Sequence, residues 1–372
     1  MKEFFSRRTE RNYDINLLLE LNKEYESRRT VPAPRVYNEA ANREYALSRV
    51  GFVSKQVDLS QKKSILEIGC GTGEVARGFV DSFENVTMLA TEVLDHSSKW
   101  NPLATDRLVF AQLDVTKPES VQKVIELNGG RKFDLIVSYV VLEHVLHPYT
   151  LLKNCSKALN VGGEMYLRAQ LYRGTDASHL YRDLFFPWPH LLFSDDVIEE
   201  FYRRQGKTGR VTWVNKLTYA QYLLYFRQLH LAVTHEVIDK KPLDEGFYER
   251  FEDVLGAYPI FDLESNIFNV FLRKEQEVVE PFQIKRVLCS VDSNGATAGA
   301  PITWTCVADG GGVLEYAWYV YNGDTQVDTI WYERKNTLTW TPKEPGQYKV
   351  LAYAKNESNE KLCRYSAVVQ VR

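Results

Sequence analysis

The chain has 372 residues, with 46 Lys plus Arg against 49 Asp plus Glu and a net charge of −3. That length allows about two to three domains with sizeable cores. The charge gives no reason to expect a nucleic acid or a membrane held by bulk electrostatics.

The opening "MKEFFSRRTERNYDINLLLELNKEYESRR" is charged throughout and lacks a signal peptide's apolar run. No later stretch approaches the roughly 18 apolar residues of a membrane span. Cys70, Cys155, Cys289, Cys306 and Cys363 lie far apart without C-x-x-C spacing. That argues against a zinc site and for reduced thiols, so a cytoplasmic location is expected.

Residues 10 to 29 have helical spacing, with Ile15, Leu18, Leu19 and Leu21 on one side; "VPAPR" ends that helix, and a second is predicted over 38–57. "SILEIG" then reads as a strand, "GEVARGFVDSF" as a helix, and "TMLATEV" and "LVFAQLD" as the next two strands. Thr116 is predicted to cap a helix with Pro118 in its first turn. "FDLIVSYVV" has the composition of a strand buried on both faces. A helix over 148–159 leads to a fifth strand, "GGEMYLRAQL". This alternation predicts a parallel sheet covered by helices.

After residue 171 the rhythm changes. Residues 172–215 hold "YRGTDASHLYRDLFFPWPHLLFS" and a helix, and a second insert covers 240–263. "LHLAVTHEV" and "NIFNVFLRK" are predicted to add antiparallel edge strands. "RKEQEVVEP" reads as a linker. The remainder, 282–372, has short alternating strands, Asn-Gly and Pro-Gly turns, and four of the seven tryptophans, which predicts a small β-sandwich.

"LEIGCGTGE" places Gly69, Gly71 and Gly73 directly behind the first strand, where a nucleotide-like ligand can approach the backbone. A dinucleotide fingerprint wants a third glycine or alanine where Glu74 stands. Glu67 precedes the first glycine by two residues. Its carboxylate would repel a pyrophosphate but could accept hydrogen bonds from an ammonium. Glu92 closes the second strand, where an acid can accept ribose hydroxyls, and Asp114 closes the third at the height of an adenine ring.

"E-x-G-x-G-x-G", the acid at Glu92, "LDV", "FDLIVSYVVLEHV" and "LNVGGEMYLR", in that order, resemble the class I S-adenosylmethionine-dependent methyltransferases. The resemblance implies a Rossmann-like seven-stranded mixed sheet with helices on both faces over 59–276, preceded by N-terminal helices over 1–58 that cap the cofactor pocket. It also implies S-adenosyl-L-methionine as cofactor. Gly69, Gly71 and Gly73 would meet the methionine part and Glu67 its ammonium. Glu92 with Val93 would serve the ribose, Asp114 with Val115 the adenine, and Ser138 with Tyr139 the space under the sulfonium. Tyr45 is placed as a lid.

Methyl transfer to a hydroxyl needs alignment and removal of a proton. "LEHVLH" puts Glu143 and His144 at the carboxyl end of the sheet, and His179 offers a second imidazole in the insert. In quinone-biosynthesis O-methyltransferases a glutamate three residues before the Glu-His pair helps bind a divalent metal. Val140 stands there, so no metal is expected. The chain also lacks the Asn/Asp-Pro-Pro-aromatic motif of nucleic-acid-base and glutamine N-methyltransferases.

The insert resembles those of methyltransferases in bacterial surface-glycan clusters, which makes Tyr181, Arg182, Trp188 and His190 candidates for stacking on or binding a sugar. The expected function is O-methylation of a sugar hydroxyl, or a sugar-linked group, of a surface polysaccharide, by a cytoplasmic enzyme or one peripheral to a membrane-bound glycan assembly complex. A small-molecule methyltransferase of secondary metabolism and a non-catalytic scaffold are the alternatives.

The terminal sandwich resembles triple-tyrosine and PKD-like immunoglobulin-type modules through "YAWYVYNG" and "PGQYKVLAYAKN". The resemblance makes it a candidate for a protein partner or dimer contact. No disulfide is expected, because Val350 stands where the tyrosine corner would need cysteine.

Overall fold

The computed structural model describes residues 13–28, 38–177, 179–207, 214–278, 282–291, 295–310 and 313–372. The chain divides into two compact units, Met1–Val278 and Val279–Arg372.

The first unit is built on a sheet of β1 (Ser64–Ile68), β2 (Thr87–Glu92), β3 (Leu108–Gln112), β4 (Phe133–Tyr139), β5 (Leu159–Gln170), β6 (Leu231–Lys240) and β7 (Ser265–Lys274), in the order β3-β2-β1-β4-β5-β7-β6. β1 to β5 run parallel, and β7 lies antiparallel between β5 and β6. Every residue of β1 is buried, as its apolar run predicts for a strand covered on both faces.

The helices of this unit are α1 (Ile15–Glu24), α2 (Glu39–Ser54), α3 (Glu74–Ser82), α4 (Ser97–Trp100), α5 (Ser120–Leu127), α6 (Pro148–Ala158), α7 (Pro189–Leu192), α8 (Asp195–Arg204), α9 (Tyr219–Gln228), α10 (Glu245–Arg250), α11 (Glu252–Leu255) and α12 (Ile260–Glu264). On one face of the sheet, Val50, Val53 and Phe79 from α2 and α3 pack with Ile65, Leu135 and Val137. On the other, Val124, Leu151, Leu152, Tyr222 and Phe226 from α5, α6 and α9 pack with Leu66, Ile136 and Phe268.

A third core was not legible in advance. Leu18 and Leu21 of α1 join Leu184, Phe186, Trp188, Phe201, Phe247 and Leu263 in a cluster of their own. Asn22 ties α1 to this insert, donating to the carbonyl of Asp183 and accepting from the N–H of Phe185. The expectation that both N-terminal helices cap the cofactor pocket is therefore corrected. α1 closes the insert's core, because its apolar face finds aromatics there, and α2 alone approaches the glycine turn, through Asn42 Nδ2 to Glu74 Oε1 at 3.2 Å. The helix predicted to be capped by Thr116 begins later, at Ser120, because Asp114 Oδ1 accepts both the N–H and the hydroxyl of Thr116.

The second unit pairs a sheet of order β11-β10-β13-β14, with β15 on β13, against a sheet of order β12-β9-β8. Its strands are β8 (Gln283–Cys289), β9 (Ile302–Asp309), β10 (Glu315–Asn322), β11 (Thr325–Glu333), β12 (Thr337–Trp340), β13 (Gly346–Lys355), β14 (Lys361–Tyr365) and β15 (Val369–Val371). Trp304, Trp318, Val350 and Ala352 fill the core between the sheets. Alternation then turns Tyr319 and Tyr353 outward beside Trp331, which is 70 % exposed. All five cysteines are free thiols.

Candidate active site

A cavity of about 620 Å³ opens at the carboxyl ends of β1 to β4, where parallel α/β sheets place their ligands. Gly69, Glu92, Val93, Asp114, Val115, Tyr139 and His144 all line it. Seven residues picked from scattered sequence positions thus share one wall.

The glycine turn is shaped by close approach. Gly73 has φ +92°, and a Cβ there would lie 2.5 Å from Cε1 of Phe110. Gly69, at φ +70°, would put its Cβ 2.3 Å from Cγ2 of Val141. Gly71 instead faces open space. Its N–H donates to Glu92 Oε2 at 3.0 Å, while Glu92 Oε1 accepts from Val93 N–H at 2.8 Å. Glu92 is thereby locked against the turn with its carboxylate on the cavity wall.

Glu67 lies below the turn and is buried, and its Oε2 has no hydrogen-bond partner. Burial, reinforced by the neighbouring Glu74, pushes its carboxyl up to about 8. The Tyr139 hydroxyl is likewise buried without a partner, and burial together with the field of Glu67 drives it far above the ordinary phenol range. Arg49 on α2, whose field also reaches Tyr139, has a buried Nε without a partner and sits 4.9 Å over the Tyr45 ring. A buried carboxylate oxygen of Glu67 and a buried guanidinium nitrogen of Arg49, each without a hydrogen-bond partner, fit an amino acid's ammonium and carboxylate. Sequence reading missed Arg49. Its only signal was a cation one helical turn after Tyr45.

Ser138 does not face the cavity. It is buried, and its hydroxyl donates to the carbonyl of Ile68 at 3.1 Å, joining β4 to β1. Asp114 is partly buried, which works against its charge, but the hydrogen bonds from Thr116 outweigh this and hold its carboxyl below the ordinary value.

Beyond β4 the backbone turns sharply. Val140 takes φ +58°, an uncommon state for a β-branched residue, and donates its N–H to the Arg168 carbonyl. The 3₁₀ turn Leu142–His144 follows. Buried Asn215 fixes it, donating its N–H to the carbonyl of Glu143 and its Nδ2 to that of Leu142, each at 2.7 Å. Tyr222 in turn donates to Asn215 Oδ1. Asn215 is a positioning residue that no sequence signal singled out.

His179 reaches the same place from the insert. Its backbone is left-handed at φ +56°, and its N–H donates to the carbonyl of Asp176, whose own N–H is held by Asn266 Oδ1 of β7. The His144 and His179 rings stack 5.5 Å apart at 27°. Burial, with smaller repulsion from His144 and Arg182, lowers the His179 pKa from its ordinary value. Burial raises that of Glu143, whose Oε1 accepts the Gln170 N–H at 3.2 Å.

Two acceptor-side expectations are corrected. Trp188 is 1 % exposed inside the insert's core and donates to the carbonyl of Leu263. His190 is buried on the carbonyl of Tyr172, and burial lowers its pKa to about 4. Both face inward because the insert has to fill a core of its own. Tyr181 is half-buried and Arg182 exposed, so these two stay accessible. Among the described residues no helix is long and apolar enough to cross a membrane.

The strand order, the glycine turn and the polar groups at its end define the class: a Rossmann-like methyltransferase fold. Residues 37–206 match the family model described as Methyltransferase domain, and residues 307–371 match the Y_Y_Y domain. The matched part of the first unit is thus similar to methyltransferase domains, and that of the second to Y_Y_Y domains.

A curated relative, the ubiquinone biosynthesis O-methyltransferase of Pectobacterium atrosepticum, is 27 % identical over 121 residues, covering 32 % of this chain and 47 % of that protein. The chain spans about half the length of the curated relatives it matches. Among solved structures, the plantazolicin methyltransferase BamL, in complex with a triazolic desmethylPZN analogue and SAH, is 13 % identical at a TM-score of 0.40, covering 69 % of this chain and 91 % of that one. The S-adenosylmethionine-dependent methyltransferase of Mesorhizobium loti is 14 % identical at a TM-score of 0.39, covering 62 % and 99 %.

Proposed function

We propose that the protein is an S-adenosylmethionine-dependent O-methyltransferase whose acceptor presents a hydroxyl to the Glu143–His144–His179 cluster. The observation that carries this reading is the His144 imidazole on the wall of the cavity lined by Gly69, Glu92 and Tyr139, with Glu143 and His179 gathered against it. Bound S-adenosylmethionine supplies a methyl group already activated on a sulfonium. The chain's own work is to hold both partners in line and to accept the hydroxyl's proton. Glu67 and Arg49 hold the amino-acid end of the cofactor, Glu92 the ribose, and the side chains after β4 face the acceptor. His179, kept neutral by burial, is suited to take the proton.

A sugar hydroxyl of a surface polysaccharide remains the acceptor proposed from the insert, with Tyr181 and Arg182 as its contacts. A second reading has an observation of its own. Val93, Val141, Val145 and Leu146 give the cavity an apolar side, and Leu146 is 68 % exposed, which suits a small apolar or aromatic alcohol.

The test is formation of S-adenosylhomocysteine with a panel of uronic acids, neutral sugars, phenols and amines. Turnover with one class assigns the acceptor, and methylation of amines alone would overturn the O-methyl reading. In a parallel calorimetric arm, Glu92→Ala loses both the ribose contacts and the anchor of the Gly71 turn. Its cofactor affinity should fall more than tenfold, since each charge-assisted hydrogen bond is worth roughly 1.5–3 kcal/mol.

A further inference from the structure

Glu143, His144 and His179 can each present one ligand atom within 4.8 Å of the other two, the one such group among the described residues. Two of them share the Leu142–His144 turn, and the insert delivers the third. Two ligands about 2.1 Å from one ion at a tetrahedral angle lie about 3.4 Å apart, so small side-chain rotations close this set on a single cation.

The surroundings ask for positive charge. Glu143 is 1 % exposed and its Oε2 has no hydrogen-bond partner. The neighbouring Gln170 also leaves its Oε1 buried and unanswered. Such acceptors are costly unless something completes them. Outer contacts already orient the set. Asn215 holds the backbone of the turn, and the Asp176 carbonyl holds that of His179.

We propose that Glu143, His144 and His179 bind one divalent cation of the zinc class, leaving a coordination position open toward the cavity. Two imidazoles and a carboxylate suit zinc and its transition-metal neighbours better than magnesium or calcium, which favour all-oxygen sets. The expectation of no metal rested on cysteine spacing and on Val140. Neither bears on a ligand set completed by His179.

The use of the cation rests on the O-methyl transfer reading; its binding does not. With the cation in place His179 is a ligand and no longer the base, and a hydroxyl at the open position would lose its proton to solvent at neutral pH, as zinc-bound water does. Its oxygen would then bond to the methyl carbon as the carbon–sulfur bond breaks and its electron pair stays on sulfur.

Zinc, manganese and magnesium chlorides are titrated separately into the metal-stripped full chain by calorimetry, and Co²⁺ is followed by its visible absorption. One zinc per chain is expected, with magnesium at least a hundredfold weaker. Glu143→Gln and His179→Ala should each weaken zinc at least tenfold, with His230→Ala as an unchanged control. S-adenosylhomocysteine binding by each variant confirms that it is folded. Absence of wild-type zinc binding, or wild-type affinity in both folded variants, overturns the site. Zinc binding by a protein that methylates no hydroxyl supports the site and removes the O-methyl reading alone.

Discussion

His144, from the turn after β4, and His179, from the insert, stack with ring centroids 5.5 Å apart although they belong to separate segments of the chain. Each substituted by alanine should lower turnover by ~10²–10⁴ while cofactor affinity stays within about twofold. Because burial lowers the His179 pKa below 6.5, its neutral form persists at pH 7 and is lost only as pH falls through that lowered value. In the metal-stripped enzyme, where His179 is free to act as the base, the acid limb of kcat/KM should therefore lie below pH 6.5 and disappear in His179→Ala. An acid limb above that value, or one retained by the variant, would contradict the assignment.

Glu67 makes a prediction about protons. With its carboxyl raised to about 8 from an ordinary 4.5, it is protonated at pH 7 in the cofactor-free protein. An ammonium docking on it favours the charged form, so binding at pH 7 should release close to one proton. Calorimetry of S-adenosylhomocysteine in two buffers of different ionisation enthalpy measures this, and Glu67→Gln should abolish the release. The sign for stability follows. The raised value contributes stability that is fully present below about pH 4.5 and is lost as pH rises through about 8. The Tm of the cofactor-free wild type should fall over that window relative to Glu67→Gln.

Trp188 and Tyr181 separate packing from recognition. Trp188→Ala removes a fully buried ring from the insert's core and should cost about 3–5 kcal/mol in urea unfolding. Tyr181→Ala should leave stability within about 1 kcal/mol, as expected for a less buried position, yet raise KM for the acceptor. An unchanged KM would remove Tyr181 from the acceptor site.

The first unit should fold and bind cofactor when expressed as residues 1–278. A cut after 276 should be less stable. Buried Lys274 donates to the carbonyls of Ser156 and Leu159 and also to Glu277, which in turn pairs with Lys132 at 2.7 Å. Removing Glu277 takes away the carboxylate that answers the buried ammonium. We further expect 1–278 to methylate a small acceptor fragment but to lose efficiency on a polymer or complex, because we propose acceptor or protein recognition as the second unit's task. Thermal melts and turnover of the two truncations check this. Equal stability would show that Glu277 is dispensable, and an insoluble 1–278 would show that the two units do not separate.

The sequence by itself determined the sheet, the glycine turn and the acids at the strand ends. Those features follow from local rules: an apolar run makes a buried strand, and a left-handed turn against a neighbouring side chain requires glycine. Gly73 under Phe110 and Glu92 on Gly71 N–H are the same signals seen in three dimensions. What only the tertiary structure decided is which side chains face a ligand. Trp188 and His190 carry the same aromatic chemistry as a sugar site, yet α1 and α10 to α12 enclose the insert and turn them inward. Arg49 became a candidate only when α2 brought its charge to Tyr139, whose hydroxyl also feels Glu67. His179 met Glu143 and His144 because Asn266 of β7 anchors its loop, a contact between segments far apart in the chain. Periodicity describes neighbours along the chain, whereas a site is made of neighbours in space, and burial by distant segments leaves no local mark.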